Sequence, residues 1–189
     1  VSMDKMSKFS IENMNKTNIY NQLKFNKNNL FDLFFLLFIS FSSLFIFKND
    51  FAGVSSLIFV SILTIVFTRI YLPIRKIIII ALTLRLLTIY LNSVYALPDS
   101  TIDSIKFDNL AFELSQDGFL KTISYYPGLT SQFISWPIAI FYSFLGRSIV
   151  LAQSLSLLFG MGSIFLGWLL VKKLWNDNIA IRAVWLIAV

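Results

Sequence analysis

Residues 149–175 read IVLAQSLSLLFGMGSIFLGWLLVKKLW, and this stretch decides the fold class. From Ile149 to Val171 it carries no charged side chain, and Lys172 and Lys173 close it. A helix crosses a bilayer with about 17–25 apolar residues, so this run is long enough. Ala152, Ser156, Gly160, Ser163 and Gly167 recur along one stripe of such a helix. In lipid, a stripe of small residues lets another helix approach closely.

Working outward, similar apolar runs lie at Phe31–Phe47, Phe51–Tyr71, Ile77–Tyr95 and Leu129–Leu145, and another starts at Ile179. Composition agrees: 57% of the 189 residues are hydrophobic and only 14% are charged, where a soluble domain carries roughly 25% charge. The expected class is an all-α polytopic membrane protein. Lys48-Asn49-Asp50 reads as a tight turn between the first two runs, and Pro98 closes the third, since proline cannot continue a helix. Residues 1–29, rich in Asn and Lys, read as a cytosolic polar arm, 30–76 as a transmembrane hairpin, and 77–189 as the start of a larger membrane domain with an outer loop at 96–148. The chain opens on Val1 and stops at Val189 inside an apolar run, which suggests the N-terminal part of a longer protein.

Lys and Arg favour the cytoplasmic side of short loops. With the arm inside, Lys48 falls outside, Arg75 and Lys76 inside, and the loop Ala96–Tyr126 outside. If Leu129–Leu145 crossed, Lys172 and Lys173 would end outside, against the rule. That segment is short and is broken by Pro137, with Ser131, Gln132, Ser135 and Trp136 in its first half. It is expected to lie in the outer interface or re-enter, with Tyr125, Tyr126, Trp136 and Tyr142 at the headgroup level. The expected location is the plasma (inner) membrane with the N-terminus in the cytoplasm. The lysines of the arm read as a topology signal, not as a nucleic-acid site.

The chain contains no histidine and no cysteine. That excludes a Ser-His-Asp triad, a cysteine nucleophile, a disulfide and a zinc site of the usual ligand types. Acid–base work must fall to Asp, Glu, Lys or Tyr, and a divalent metal would need oxygen ligands; the sequence assigns no metal site and no cofactor. Five of the ten acids, Asp99, Asp103, Asp108, Glu113 and Asp117, crowd into the outer loop. There Phe107, Leu110, Ala111 and Leu114 form an amphipathic helical stripe, with Asp103 four residues before Phe107 on the same stripe. Two roles are open for Asp103: a general base facing a lipid-linked substrate, or a first-turn carboxylate behind a Ser100 cap. Asp99 is a cap or a second acid, and Asp108, Glu113 and Asp117 read as a solvated face. Arg85, midway along Ile77–Tyr95, is a charge deep in a span and reads as a partner for an acid beyond Val189, with a functional role as the alternative.

Asp103, Phe107, Ala111 and Gly118 stand at offsets 0, +4, +8 and +15. This resembles the first outer loop of the protein mannosyltransferase-like GT-C glycosyltransferases, glycosyltransferase family 39 and relatives. Tyr125-Tyr126-Pro127-Gly128, Trp136-Pro137 and Leu145-Gly146-Arg147-Ser148 resemble the second surface helix of that family. Ser104 stands where the family often has Glu, Phe107 replaces the commoner Tyr, and the first two apolar runs lie outside the match. The resemblance implies a GT-C-like membrane fold that takes a sugar from a polyprenyl-phosphate donor on the outer face and passes it to a lipid, glycan or protein acceptor. It implies Asp103 as catalytic base, with Asp99 beside it, and Phe107, Tyr125, Tyr126 and Arg147 as substrate contacts. A transporter or flippase, or a non-catalytic membrane scaffold, is the alternative.

Overall fold

The computed structural model describes residues 27–95, 101–125, 127–128 and 131–188. Most of the expected arm, together with Asp99 and Tyr126, lies outside the described residues. Among those described, every regular element is a helix: α1 (Lys27–Ile46), α2 (Phe51–Ile70), α3 (Arg75–Tyr95), α4 (Thr101–Ser115), α5 (Phe119–Ser124), α6 (Ser135–Leu145), α7 (Ile149–Leu174) and α8 (Asp177–Ala188). Single 3-10 turns at Leu72–Ile74 and Ser131–Ile134 lead into α3 and α6. The chain divides after Leu37. In the first unit Phe31 and Phe35, one helical turn apart, stack with ring centroids 6.1 Å from each other. The second unit runs from Phe38 onward and holds the helices described below.

Three helices, α2, α3 and α7, are long and apolar enough to cross a membrane. Several of their hydroxyls are spent inside their own helices: Ser61 donates to the Leu57 carbonyl, Thr64 to Val60 and Thr83 to Ile79, each at 2.8 Å. Such back-bonding lets polar residues sit in an apolar segment without an unmet donor. Two further apolar helices are shorter than these three. The apolar part of α1 is Leu30–Ile46, and α6 has 11 residues. Eleven residues rise about 16 Å, half the ~30 Å thickness of the hydrocarbon core, so α6 is no single crossing.

Helices α2 and α7 run parallel. At their N-termini an added Cβ on Gly53 would lie 2.5 Å from Val150 Cβ. One turn on, the Ser56 and Ser154 hydroxyls are 2.7 Å apart. At the far ends Tyr71 meets Phe165 and Trp168 edge-on, at 4.6 and 5.7 Å. Helix α3 runs the other way, with Arg85 against Gly160. Leu57, Leu82, Leu151 and Ile164 are fully buried among the three.

The consequence is a sorting of charge. Arg69, Arg75, Lys76, Lys172 and Lys173 stand at the ends of α2, α3 and α7 that share one side. Asp50 and the helices α4 to α6 lie at the opposite ends of the same three. This is the arrangement expected when residues 129–145 turn back instead of crossing.

Candidate functional site

Helix α4 lies across α6 at the acidic end. Ala111 and Ala139 are both fully buried at this crossing, so the two backbones approach closely. Ser135 Oγ donates to the Phe107 carbonyl at 3.0 Å. Thr122 donates to the Leu114 carbonyl at 2.9 Å, and Trp136 Nε1 to the Thr122 carbonyl at 2.9 Å, which ties α5 to both neighbours.

The buried face of α4 is Asp108, Ala111 and Ser115, which corrects the expected stripe. Phe107, Leu110 and Leu114 are only half-buried. The Asp103 side chain is 84% exposed, with Lys106 Nζ 3.8 Å away. The physical reason is the crossing itself. Small residues set the face that meets α6, and the large apolar residues flank it. Asp108, expected on a solvated face, is instead 8% exposed.

Asp108 is the centre of a polar cluster. Arg147 Nε donates to its Oδ2 at 3.0 Å, and Arg147 Nη2 reaches the same oxygen. Arg147 Nη2 also donates to Asn109 Oδ1 at 2.6 Å, and the guanidinium sits 4.8 Å from the centre of the Phe112 ring. The Tyr142 hydroxyl lies 2.6 Å from Asp108 Oδ1 and 2.8 Å from the Ser148 carbonyl. Burial, then the adjacent carboxylate, pushes the phenol well above its ordinary pKa, so it stays protonated and donates. Tyr142 is therefore a buried strut that joins α4 to the start of α7.

The cluster continues into the spanning helices. Ser148 caps α7 by accepting from Leu151 N–H at 3.0 Å, and its hydroxyl donates to Asp50 Oδ2 at 2.6 Å. Asp50 caps α2 through Oδ1, which accepts from Gly53 N–H at 2.8 Å. A carboxylate beside two helix N-termini also opposes their positive dipole ends. Gly146, at φ +86°, makes the turn that brings Arg147 and Ser148 into place, a conformation that favours glycine.

Beneath α4 and α6, between α3 and α7, lies a cavity of about 540 Å³. Phe107, Ile105, Ile138 and Ile149 line it near the surface helices, and Asp108 touches it from the cluster. Arg85, Thr88, Ser156 and Leu157 line the deeper part. A volume in the range of about 300–1,000 Å³, mostly apolar with a few polar groups, is typical of a small-molecule site. Arg85 is the charge at depth, at a cost of about 2.5–3.5 kcal/mol for an arginine at the centre of a span. Among the described residues no acid pairs with it.

Of the residues singled out by sequence, Phe107 lines the cavity. Asp103 occupies the first turn of α4, next to Ser104, which also lines it. Arg147 is brought to Asp108 instead of into the cavity. Tyr125 is exposed just past α5. Asp99 and Tyr126 lie outside the described residues. Sequence reasoning missed Asp108, Tyr142, Ser148 and Asp50. The available signal was the pairing of an acid on α4 with the lone arginine of the Gly146-Arg147-Ser148 turn. Among the described residues no group of three Asp or Glu side chains is placed to hold a metal ion. No protein-family model, curated protein or solved structure matches the chain.

Proposed function

We propose that the chain belongs to a GT-C-type membrane glycosyltransferase that takes a sugar from a polyprenyl-phosphate donor at the outer face. One observation supports this reading most: surface helices α4 and α6, packed on one another between two membrane-length helices, roof a largely apolar cavity. An amphiphile with a long apolar chain and a polar head needs a site at such a junction of lipid and water. The offsets from Asp103 to Gly118 point to the same class of enzyme. The acceptor is a lipid, glycan or protein hydroxyl, and bilayer lipids surround the spans.

In this reading Asp103 is the base. Both oxygens of Asp108 are engaged by Tyr142 and Arg147, so it is ill suited to take a proton. Among the described residues Asp103 has one charged neighbour, the solvent-screened Lys106, and it stands in the first turn of α4 at the cavity roof. Its carboxylate takes the proton of the acceptor hydroxyl as the oxygen attacks the anomeric carbon. The bond from that carbon to the phosphate oxygen breaks, and polyprenyl phosphate leaves without needing a proton at neutral pH. Phe107 contacts the donor under α4, while Arg147, Tyr125 and Tyr126 are the further substrate contacts; Asp99 is the second candidate acid. The basic ends of α2, α3 and α7 face the cytoplasm of an inner-membrane protein under the charge rule. A transporter or flippase is the second reading, and it draws on one feature: the cavity reaches Arg85 at mid-depth.

The test is transfer from a labelled polyprenyl-phosphate sugar by the full-length protein in proteoliposomes. Asp103→Asn should lower turnover by about 10²–10⁴-fold, the usual worth of a general base, with unchanged expression and unfolding midpoint. Normal turnover in that variant would remove Asp103 from the mechanism.

A further inference from the structure

Arg85 is the starting point. Its guanidinium lies against Gly160 of α7, where an added Cβ would fall 2.5 Å from Nη1 and 2.9 Å from Cζ. Gly160 thus makes room for the charge between two membrane-length helices. Asp108 is the acid that shares the cavity with Arg85, and it is already held by Tyr142 and Arg147. Among the described residues Arg85 has no carboxylate or hydrogen-bond partner, and Gln153, higher on the same wall, has none either. The cavity beside them is therefore cationic at depth and apolar beneath α4, where Ile105, Ile138 and Ile149 line it.

From this arrangement we propose that the cavity is a binding site for an anionic amphiphile drawn from the bilayer. Its carboxylate or phosphate pairs with Arg85, and its apolar body extends up toward α4. Guanidinium is the side chain best matched to such a group, because its planar fork can bond two oxygens at once. A cavity of about 540 Å³ holds a molecule of drug or fatty-acid size. The depth also separates this site from the sugar-transfer chemistry. Arg85 lies ten residues below Tyr95, about 15 Å along α3, while Asp103 is on the surface helix. The cavity is the one the transfer reading gives to the lipid-linked donor, whose head sits at α4, so the two ligands compete for it; anion binding is measured without sugar transfer and stands or falls separately from that reading.

The experiment is direct binding to the full-length chain in phosphatidylcholine nanodiscs at about pH 8, above the background of empty discs. The probes are labelled dodecanoate, dodecyl phosphate and dodecanol. Either anion should bind at least about tenfold more tightly than dodecanol, and the preferred one identifies the head group. Arg85→Gln should lose at least about tenfold for the anion, and Arg85→Lys, which keeps the charge, should retain most of the binding. Equal binding of dodecanol by the unaltered chain would overturn the proposal without recourse to any variant. So would unchanged anion binding in a folded Arg85→Gln protein. A third contrary result is Arg85-dependent capture of a leucine-rich transmembrane peptide with one central Asp, with no binding of either anion; Arg85 would then be a helix-docking charge.

Discussion

Asp103 and Asp108 stand five residues apart on one helix, and their surroundings give them opposite sensitivities. Asp108 holds Tyr142 and Arg147 in a mostly buried position. Asp108→Ala removes the carboxylate that both donors share, leaving Tyr142 only the Ser148 carbonyl and Arg147 only Asn109, and should cost about 2 kcal/mol, read as a lower unfolding midpoint in detergent. Asp103→Ala removes an exposed carboxylate and should change stability by less than about 0.5 kcal/mol. Tyr142 adds a pH signature. Its pKa is raised above the 10.0 of a free phenol, so the folded chain keeps the proton where the unfolded chain loses it. Its stabilising contribution is therefore complete below about pH 10 and declines as pH rises beyond that value. Unfolding midpoints measured through that range should fall for the unaltered chain and fall less for Tyr142→Phe. The sequence could rank the acids of this loop by helical phase, but not correctly. The expected stripe of Phe107, Leu110, Ala111 and Leu114 shares only Ala111 with the buried face, because Ala111 meets Ala139 at the α4–α6 crossing and turns Asp108 and Ser115 inward.

At the scale of elements, the boundaries were largely legible. The runs at Phe51–Tyr71, Ile77–Tyr95 and Ile149–Val171 become α2, α3 and α7 to within a few residues. Length and polarity told these spans from the short α6, because bilayer thickness imposes a threshold that composition can meet or miss. Pairing between helices was not legible, since a stripe of small residues says that a neighbour comes close without naming it. The glycines give a contrast that tests the pairing. At Gly53 an added methyl meets Val150 Cβ at 2.5 Å and the Asp50 and Ser148 oxygens at 2.6 and 2.7 Å, atoms fixed to two helix N-termini. Gly53→Ala should destabilise by about 2 kcal/mol through overpacking of α2 on α7. At Gly160 the atoms met belong to the mobile end of Arg85, which can move aside. Gly160→Ala should cost less than half as much. Equal costs in thermal unfolding would mean that α2 and α7 are not as close as their N-termini place them.

For the whole molecule the organising feature is charge sorted along the three long helices. Asp50, Asp108 and the exposed acids of α4 gather at one end, and Arg69, Arg75, Lys76, Lys172 and Lys173 at the other. The cavity, the surface helices and the proposed transfer chemistry all require residues 96–148 to remain on one side of the membrane. The 189 residues contain no cysteine, so a single cysteine introduced among them is the one thiol of this stretch. The decisive measurement places one at Asp117, next to the turn after α4, and another at Lys173, and treats intact cells with an impermeant thiol reagent. The account predicts labelling of Asp117→Cys from outside and protection of Lys173→Cys until the membrane is opened. Labelling of both from outside would put the two ends of α7 out of register with this architecture and contradict it.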